Sequence, residues 1–146
     1  RKENLNHIRS MLSEHGPLKG SYCVEYEGFK NIARFIRRGQ QRNKRHIVYI
    51  LFTIEDTCNG INGADERYEA LGMLEDSVRV SLRVGDVATR YSGSQIVAIL
   101  VDAKESDACM VAGRILDEFH NHTGMEQIRV EYDIQALEED EPEENH

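Results

Sequence analysis

The stretch Arg83-Val84-Gly85-Asp86-Val87-Ala88-Thr89-Arg90-Tyr91-Ser92-Gly93-Ser94-Gln95-Ile96-Val97-Ala98-Ile99-Leu100 decides the fold of this chain. Residues Asp86 to Tyr91 and Gln95 to Val101 both read as strands, and they are joined only by Ser92-Gly93-Ser94, a polar link whose glycine is expected at positive φ. Two such runs across so short a link predict a β-hairpin, because a tight turn forces the second strand back along the first.

On the N-terminal side, His46 to Ile54 is apolar nearly throughout and rich in β-branched and aromatic residues. A strand with one wet face would alternate, so this one is predicted to be central and covered on both faces. A polar, glycine-containing turn from Glu55 to Ala64 leads into a helix whose core face is predicted to be Tyr68, Leu71, Leu74 (or Met73), Val78 and Leu82. After the hairpin, Ala108, Val111, Ile115 and Phe119 mark another helix, followed by a loop containing Gly124. Ile128 to Leu137 alternates as a last strand, with Ile128, Val130, Tyr132 and Ile134 on one face.

Nearer the N-terminus, Phe29, Ile32, Ala33 and Ile36 mark a helix that ends in the basic run Arg37 to Arg45. That run reads as a solvated loop joining helix to strand, with a phosphate-binding patch as the functional alternative. Residues 16–22 read as a loop. Leu5, Ile8 and Leu12 form a narrow apolar stripe on a first helix that stops near His15-Gly16-Pro17, which fits either a coiled-coil seam or a helix lying on the domain's own surface. The order helix, helix, strand, helix, strand, strand, helix, strand predicts an α/β sandwich of the α+β kind, a mainly antiparallel sheet with flanking helices.

At 146 residues the chain has the size of one domain. Six of its eight excess negative charges fall in Glu138 to Glu144, which leaves a nearly neutral −2 on the rest. That excludes a dedicated nucleic-acid binder, whose domain is normally basic, and the acidic run reads as a solvated, disordered tail. No window approaches the roughly 18 apolar residues of a membrane span, and the N-terminus has no signal-peptide layout. Cys23, Cys58 and Cys109 are odd in number and widely spaced, so neither a disulfide framework nor a zinc site is expected and a reducing cytoplasm fits. The histidines, scattered at His7, His15, His46, His120, His122 and His146, show no ligand spacing. A start at Arg1, with a helix beginning almost at once, is expected of a piece of a longer protein carrying fused sensor or effector domains.

In its order and spacing the chain resembles the GGDEF domain of bacterial diguanylate cyclases. Arg83-x-x-Asp86 followed by Arg90-Tyr91-Ser92-Gly93-Ser94-Gln95-Ile96 and an apolar strand stands in register with that family's R-x-x-D and R-Y-G-G-D/E-E-F. Thr53-Ile54-Glu55 with Ile61-Asn62 stands where the family has D-x-D-x-F-K-x-I-N-D, and Pro17-Leu18-Lys19-Gly20 with Phe29 where D-x-L-T-G-L opens the domain. Val130 to Leu137 takes the place of the closing T-x-S-I-G-V-A strand. The resemblance implies a GGDEF domain over 16–137, an N-terminal linker helix over 1–15 and a tail over 138–146, with a nucleotide-cyclase-like palm at the centre.

It also implies a degenerate site. The family's magnesium carboxylates fall at Thr53 and Ser94, its fourth signature position at Gln95, and its first turn glycine at Ser92; of the five signature positions only Gly93 agrees. Magnesium needs hard, charged oxygen ligands, and condensing two GTP molecules needs magnesium, so no cofactor is expected and no catalytic set is intact. Asn62 stands where the family reads a guanine edge, with an ordinary Asn-Gly turn residue as the alternative, and the second guanine-reading carboxylate falls near Leu71. Arg83 and Asp86 stand at the family's inhibitory product site, with a helix-end salt bridge as the alternative.

The expected function is therefore a non-catalytic cytoplasmic signalling module that binds cyclic di-GMP at Arg83 and Asp86 or acts in homodimerisation through its N-terminal helix. The alternative is a weak cyclase with a magnesium site moved onto Glu55 or Asp56.

Overall fold

The computed structural model of the chain describes residues 22–24, 26–43, 45–55 and 64–137. The stripe Leu5, Ile8 and Leu12, the residues Asp56 and Asn62, and the acidic run from Glu138 onward lie outside the described residues.

Along the chain run strand β1 (Tyr22–Val24), helix α1 (Tyr26–Asn43), strand β2 (Ile47–Ile54), helix α2 (Ala64–Ser81), strands β3 (Val87–Ser92) and β4 (Gln95–Val101), helix α3 (Glu105–His120) and strand β5 (Val130–Leu137). The strands form one sheet in the order β1-β3-β4-β2-β5. Strand β1 pairs parallel with β3, and β3 with β4, β4 with β2 and β2 with β5 are antiparallel.

The apolar run in β2 is covered on both faces, as its composition predicts, fully buried on one and, beyond Ile47, half-buried on the other. Val48, Ile50, Phe52 and Ile54 pack toward α2 and α3, together with Leu71, Leu74, Val78, Ala112, Ile115 and Phe119. Ile47 and Tyr49 point the other way, where with Val87 and Ile99 they meet Phe29, Ile32, Ala33 and Ile36 of α1. The sheet therefore separates a two-helix layer from a one-helix layer, and α1 alone leaves part of its face open. Helix α3 starts where the Asp107 carboxylate accepts the Lys104 backbone N–H at 3.0 Å, satisfying a donor that the first turn would leave unpaired. Among the described residues no helix is long and apolar enough to cross a membrane.

Four expectations need correction. The basic run is not a loop: α1 continues through Arg37, Arg38 and Arg42 to Asn43, because Arg and Gln are good helix formers and the charged side chains stay in water. Tyr22, the last residue of the expected loop, instead opens the edge strand β1, which runs to Val24. Tyr68 is 69% exposed; its ring lies 5.5 Å beneath the Arg90 guanidinium, which Glu75 anchors through 2.7 and 2.9 Å hydrogen bonds, so this part of α2 faces a charged strand end and not the core.

The fourth correction concerns the hairpin. Gly93 is not at positive φ, whereas Gly85 (104°) and Gly124 (90°) are; a register shift between Arg90 and Ser92 reshapes the turn instead. A Cβ at Gly93 would meet nothing, so Gly93→Ala should change stability by no more than about 0.5 kcal/mol. Gly85→Ala should cost about 1–2 kcal/mol in the same thermal unfolding experiment, since its backbone sits where a side chain is strained.

Candidate functional site

On the α1 side of the sheet, Thr53 of β2 lies directly across from Gln95 of β4 and from Glu131 of β5. Opposed antiparallel residues share a face, so the positions Thr53, Gln95 and Ser92 form one polar patch at the hairpin end. A continuous hydrogen-bond chain links them. Ser92 Oγ donates to Gln95 Oε1 at 2.9 Å, and Gln95 Nε2 donates to Thr53 Oγ1 at 3.2 Å. The Ser94 N–H turns to Ser92 Oγ at 3.3 Å, and the Ser94 carbonyl accepts the Ile54 N–H at 2.8 Å. Ile96 is buried beneath the turn.

The donors at Thr53, Ser92, Ser94 and Gln95 are all neutral, and the Thr53 hydroxyl and the Gln95 amide are already engaged with each other. This set does not fit a magnesium ion, which demands charged oxygen ligands. Beside it, Phe29, Ala33, Tyr49, Leu51, Tyr91 and Val97 line an open cavity of about 470 Å³. Leu71, at the second guanine-reading position, is buried in the core. Glu55 follows β2 with its carboxyl raised above the ordinary value, first by a hydrogen bond with Glu131 and then by burial, against a smaller opposing pull from Arg129. Two carboxyls that hydrogen-bond to each other share a proton more readily than two separate ones.

Arg83 and Asp86 lie at the other end of β3, and the fold gives them different tasks. Asp86 is 3% exposed. One of its carboxylate oxygens accepts the Arg83 N–H at 3.0 Å and the other accepts the Val101 N–H at 3.1 Å. Burial raises its carboxyl above the ordinary 3.8, with those two amides pulling it back. The Arg83 guanidinium donates to the Val101 carbonyl at 3.0 Å and approaches Asp86 only to 4.0 Å. Its side chain is 65% exposed. Asp86 thus shapes the loop from inside, and Arg83 is what the loop presents.

The surface that Arg83 faces was not legible from the tetrapeptide. Arg38, Arg42 and Phe35 from α1, Arg45 from the α1–β2 link, and Arg83 line a cavity of about 690 Å³ floored by Ile36, Ile47 and Val101. Arg45 is held there by Asp102, which accepts its Nε at 3.0 Å and a second guanidinium N–H. This fork pulls the Asp102 carboxyl below 3.8. Asp102 itself turns the chain at φ 62°, a left-handed conformation that aspartate tolerates better than most residues. Its N–H donates to the His46 carbonyl at 2.6 Å, pinning β4 to the start of β2. Arg38 and Arg42 have no side-chain partner among the described residues. Phe35 is 79% exposed at the rim. The basic run and the Arg83 loop are some 40 residues apart in sequence, and only helix α1 continuing past Arg37 brings them together.

No protein-family model matches the chain, and no curated protein does. Solved structures do. A DGC protein from Thermotoga maritima superposes with a TM-score of 0.65 at 15% identity, over 83% of this chain and 85% of that one. Diguanylate cyclase SiaD from Pseudomonas aeruginosa, solved in complex with its activator SiaC, gives 0.64 at 16% identity over 93% of this chain, which spans about half (54%) of that protein. The FimX GGDEF domain from Pseudomonas aeruginosa gives 0.61 at 12% identity, over 90% and 85%. With its mainly antiparallel sheet between one helix and two, this chain has the fold of a GGDEF domain.

Proposed function

We propose that this chain is a non-catalytic signalling module with the GGDEF fold, and that it binds cyclic di-GMP in the arginine groove headed by Arg83. One observation carries the proposal: of the two positions where the resemblance puts acidic metal ligands, Thr53 is tied into the hydrogen-bond chain Ser92–Gln95–Thr53 and Ser94 is a neutral turn residue, while four arginines converge on a groove at the far end of the same hairpin. The groove suits the ligand's chemistry. Guanidinium forks grip phosphates through paired charge-assisted hydrogen bonds, and the exposed ring of Phe35 offers a face on which a guanine can stack.

Calorimetry with cyclic di-GMP on the native chain and on Arg83→Ala tests this. Binding weakened about tenfold or more by loss of that one guanidinium is expected, the scale of a charged hydrogen bond; no heat from the native chain would sink the proposal. Arg83→Ala is preferable to any change at Asp86, whose loss would damage the loop itself.

A second reading rests on Glu55 and Glu131, two carboxylates on the same face as Thr53: a weak cyclase working at that corner. It predicts magnesium-dependent GTP turnover at high protein concentration, abolished by Glu55→Gln, and the absence of such turnover would remove it. Homodimerisation through Leu5, Ile8 and Leu12 is compatible with the first reading. Sedimentation should then show a dimer lost when the three are made polar.

A further inference from the structure

The arginine groove and the end of the sheet are neighbours. Leu137, the last residue of β5, pairs with Ile47, and Ile47 pairs with Val101, whose carbonyl Arg83 holds. Two strand spacings, about 10 Å, therefore separate Leu137 from the head of the groove. The next residues are Glu138-Glu139-Asp140-Glu141-Pro142-Glu143-Glu144, six acidic side chains and no basic one. Seven extended residues span about 23 Å, more than enough to run from Leu137 past Arg45 to Arg83.

We propose that this acidic segment folds back along the arginine groove of its own chain and competes there with anionic ligands. Charge complementarity names the occupant: Arg38, Arg42, Arg45 and Arg83 line the groove against only two carboxylates, Asp86 and Asp102, so positive charge is in excess there. A second observation marks the path. Gln40 of α1, 4% exposed, donates its amide to the Leu137 carbonyl at 2.6 Å, and its own Oε1 is buried with no hydrogen-bond partner. Gln40 and Arg45 line the cavity in which β5 ends. A segment leaving Leu137 along α1 would bring a peptide N–H to that orphaned oxygen and its carboxylates to the arginines. Docking of the segment stands on these features alone, whereas its competition with cyclic di-GMP rests on the function proposed above.

The test compares the 146-residue chain with a variant of the same 146 residues whose six acidic residues are neutralised (E138Q, E139Q, D140N, E141Q, E143Q and E144Q). In NMR spectra, the Arg38, Arg42, Arg45 and Arg83 signals should differ between the two chains at low salt and converge at about 0.5 M salt, where the screening length is only a few Å. A synthetic peptide of residues 138–146 added to the neutralised chain should restore the native shifts. Identical groove signals in the two chains would overturn docking, and shifts that scale with protein concentration would assign the segment to a second copy and overturn docking within one chain.

In calorimetry the neutralised chain should bind cyclic di-GMP about fivefold more tightly at low salt, the scale of a modest coupling between two occupants of one groove, with the ratio approaching one at high salt. Equal affinities beside clear groove shifts would overturn the competition. If neither chain bound cyclic di-GMP, the proposed function would fail while the NMR comparison still decided docking.

Discussion

Replacing Asp86 by alanine is expected to destabilise the fold by about 2–4 kcal/mol, because two buried backbone N–H groups lose their acceptor at once. The donors are those of Arg83 and Val101, at 3.0 and 3.1 Å, and to recover them water from the adjoining cavities would have to be ordered in place of the carboxylate. The loss should appear as a lower Tm and a lower denaturant midpoint with an unchanged m-value. The pH dependence has a definite sign. Since the fold raises this carboxyl above 3.8, its contribution to stability is fully present below the unfolded value and declines as pH rises through the folded one. The stability gap between the native chain and Asp86→Asn should accordingly narrow from acid toward neutral pH. A gap that widens would mean that the amides outweigh burial. Arg83→Ala, at an exposed side chain, should leave Tm nearly unchanged, which separates the loop's support from what it presents.

Phe52→Ala should have the largest effect on the chain, about 3–5 kcal/mol. Phe52 is fully buried in β2, paired with Ile96 on one side and Tyr132 on the other, its ring 6.3 Å from that of Tyr132. Neighbours on two strands fix its surroundings, so the cavity left behind cannot collapse by moving a loop. Against a total stability of about 5–15 kcal/mol, such a loss would leave much of the population unfolded on warming; a change under about 1 kcal/mol in chemical denaturation would contradict the close packing described around it.

Legibility in the sequence followed burial. Strand β2, the hairpin and α3 announced themselves because each buries an apolar pattern with an unmistakable period. Strand β1 did not, since three residues pairing parallel at a sheet edge leave no periodic trace. The reach of α1 was hidden by charge: arginines that read as loop composition also favour helix, and the one residue that could have given the extension away was Gln40, one turn beyond Ile36 on the buried face. The candidate site was legible only in part. Strand register brings Thr53, Ser92 and Gln95 together. That Asp86 turns inward while Arg83 turns out was beyond a tetrapeptide, because the direction of a carboxylate depends on which amides lie above it. The convergence of Arg38, Arg42 and Arg45 on Arg83 is a tertiary fact, carried by the packing of α1 on Ile47, Val87 and Ile99.

The bond between Gln95 and Thr53 also bears on how this corner would receive a negative charge. Thr53→Asp by itself would set a third carboxylate beside Glu131, directly opposite on β5, and Glu55, whose carboxyl Glu131 already raises above its ordinary value. Arg129, 3.9 Å from Glu55, is one cation for three carboxylates, so the newcomer meets net repulsion. Ser94→Asp alone would add a charge to a turn whose partners are neutral. Each single acidic substitution is therefore penalised by itself, and an acidic cluster at this corner would require several changes at the same time. The hairpin end thus resists acid one residue at a time: the carboxylates already beside it make each first step toward a more negative corner the costly one.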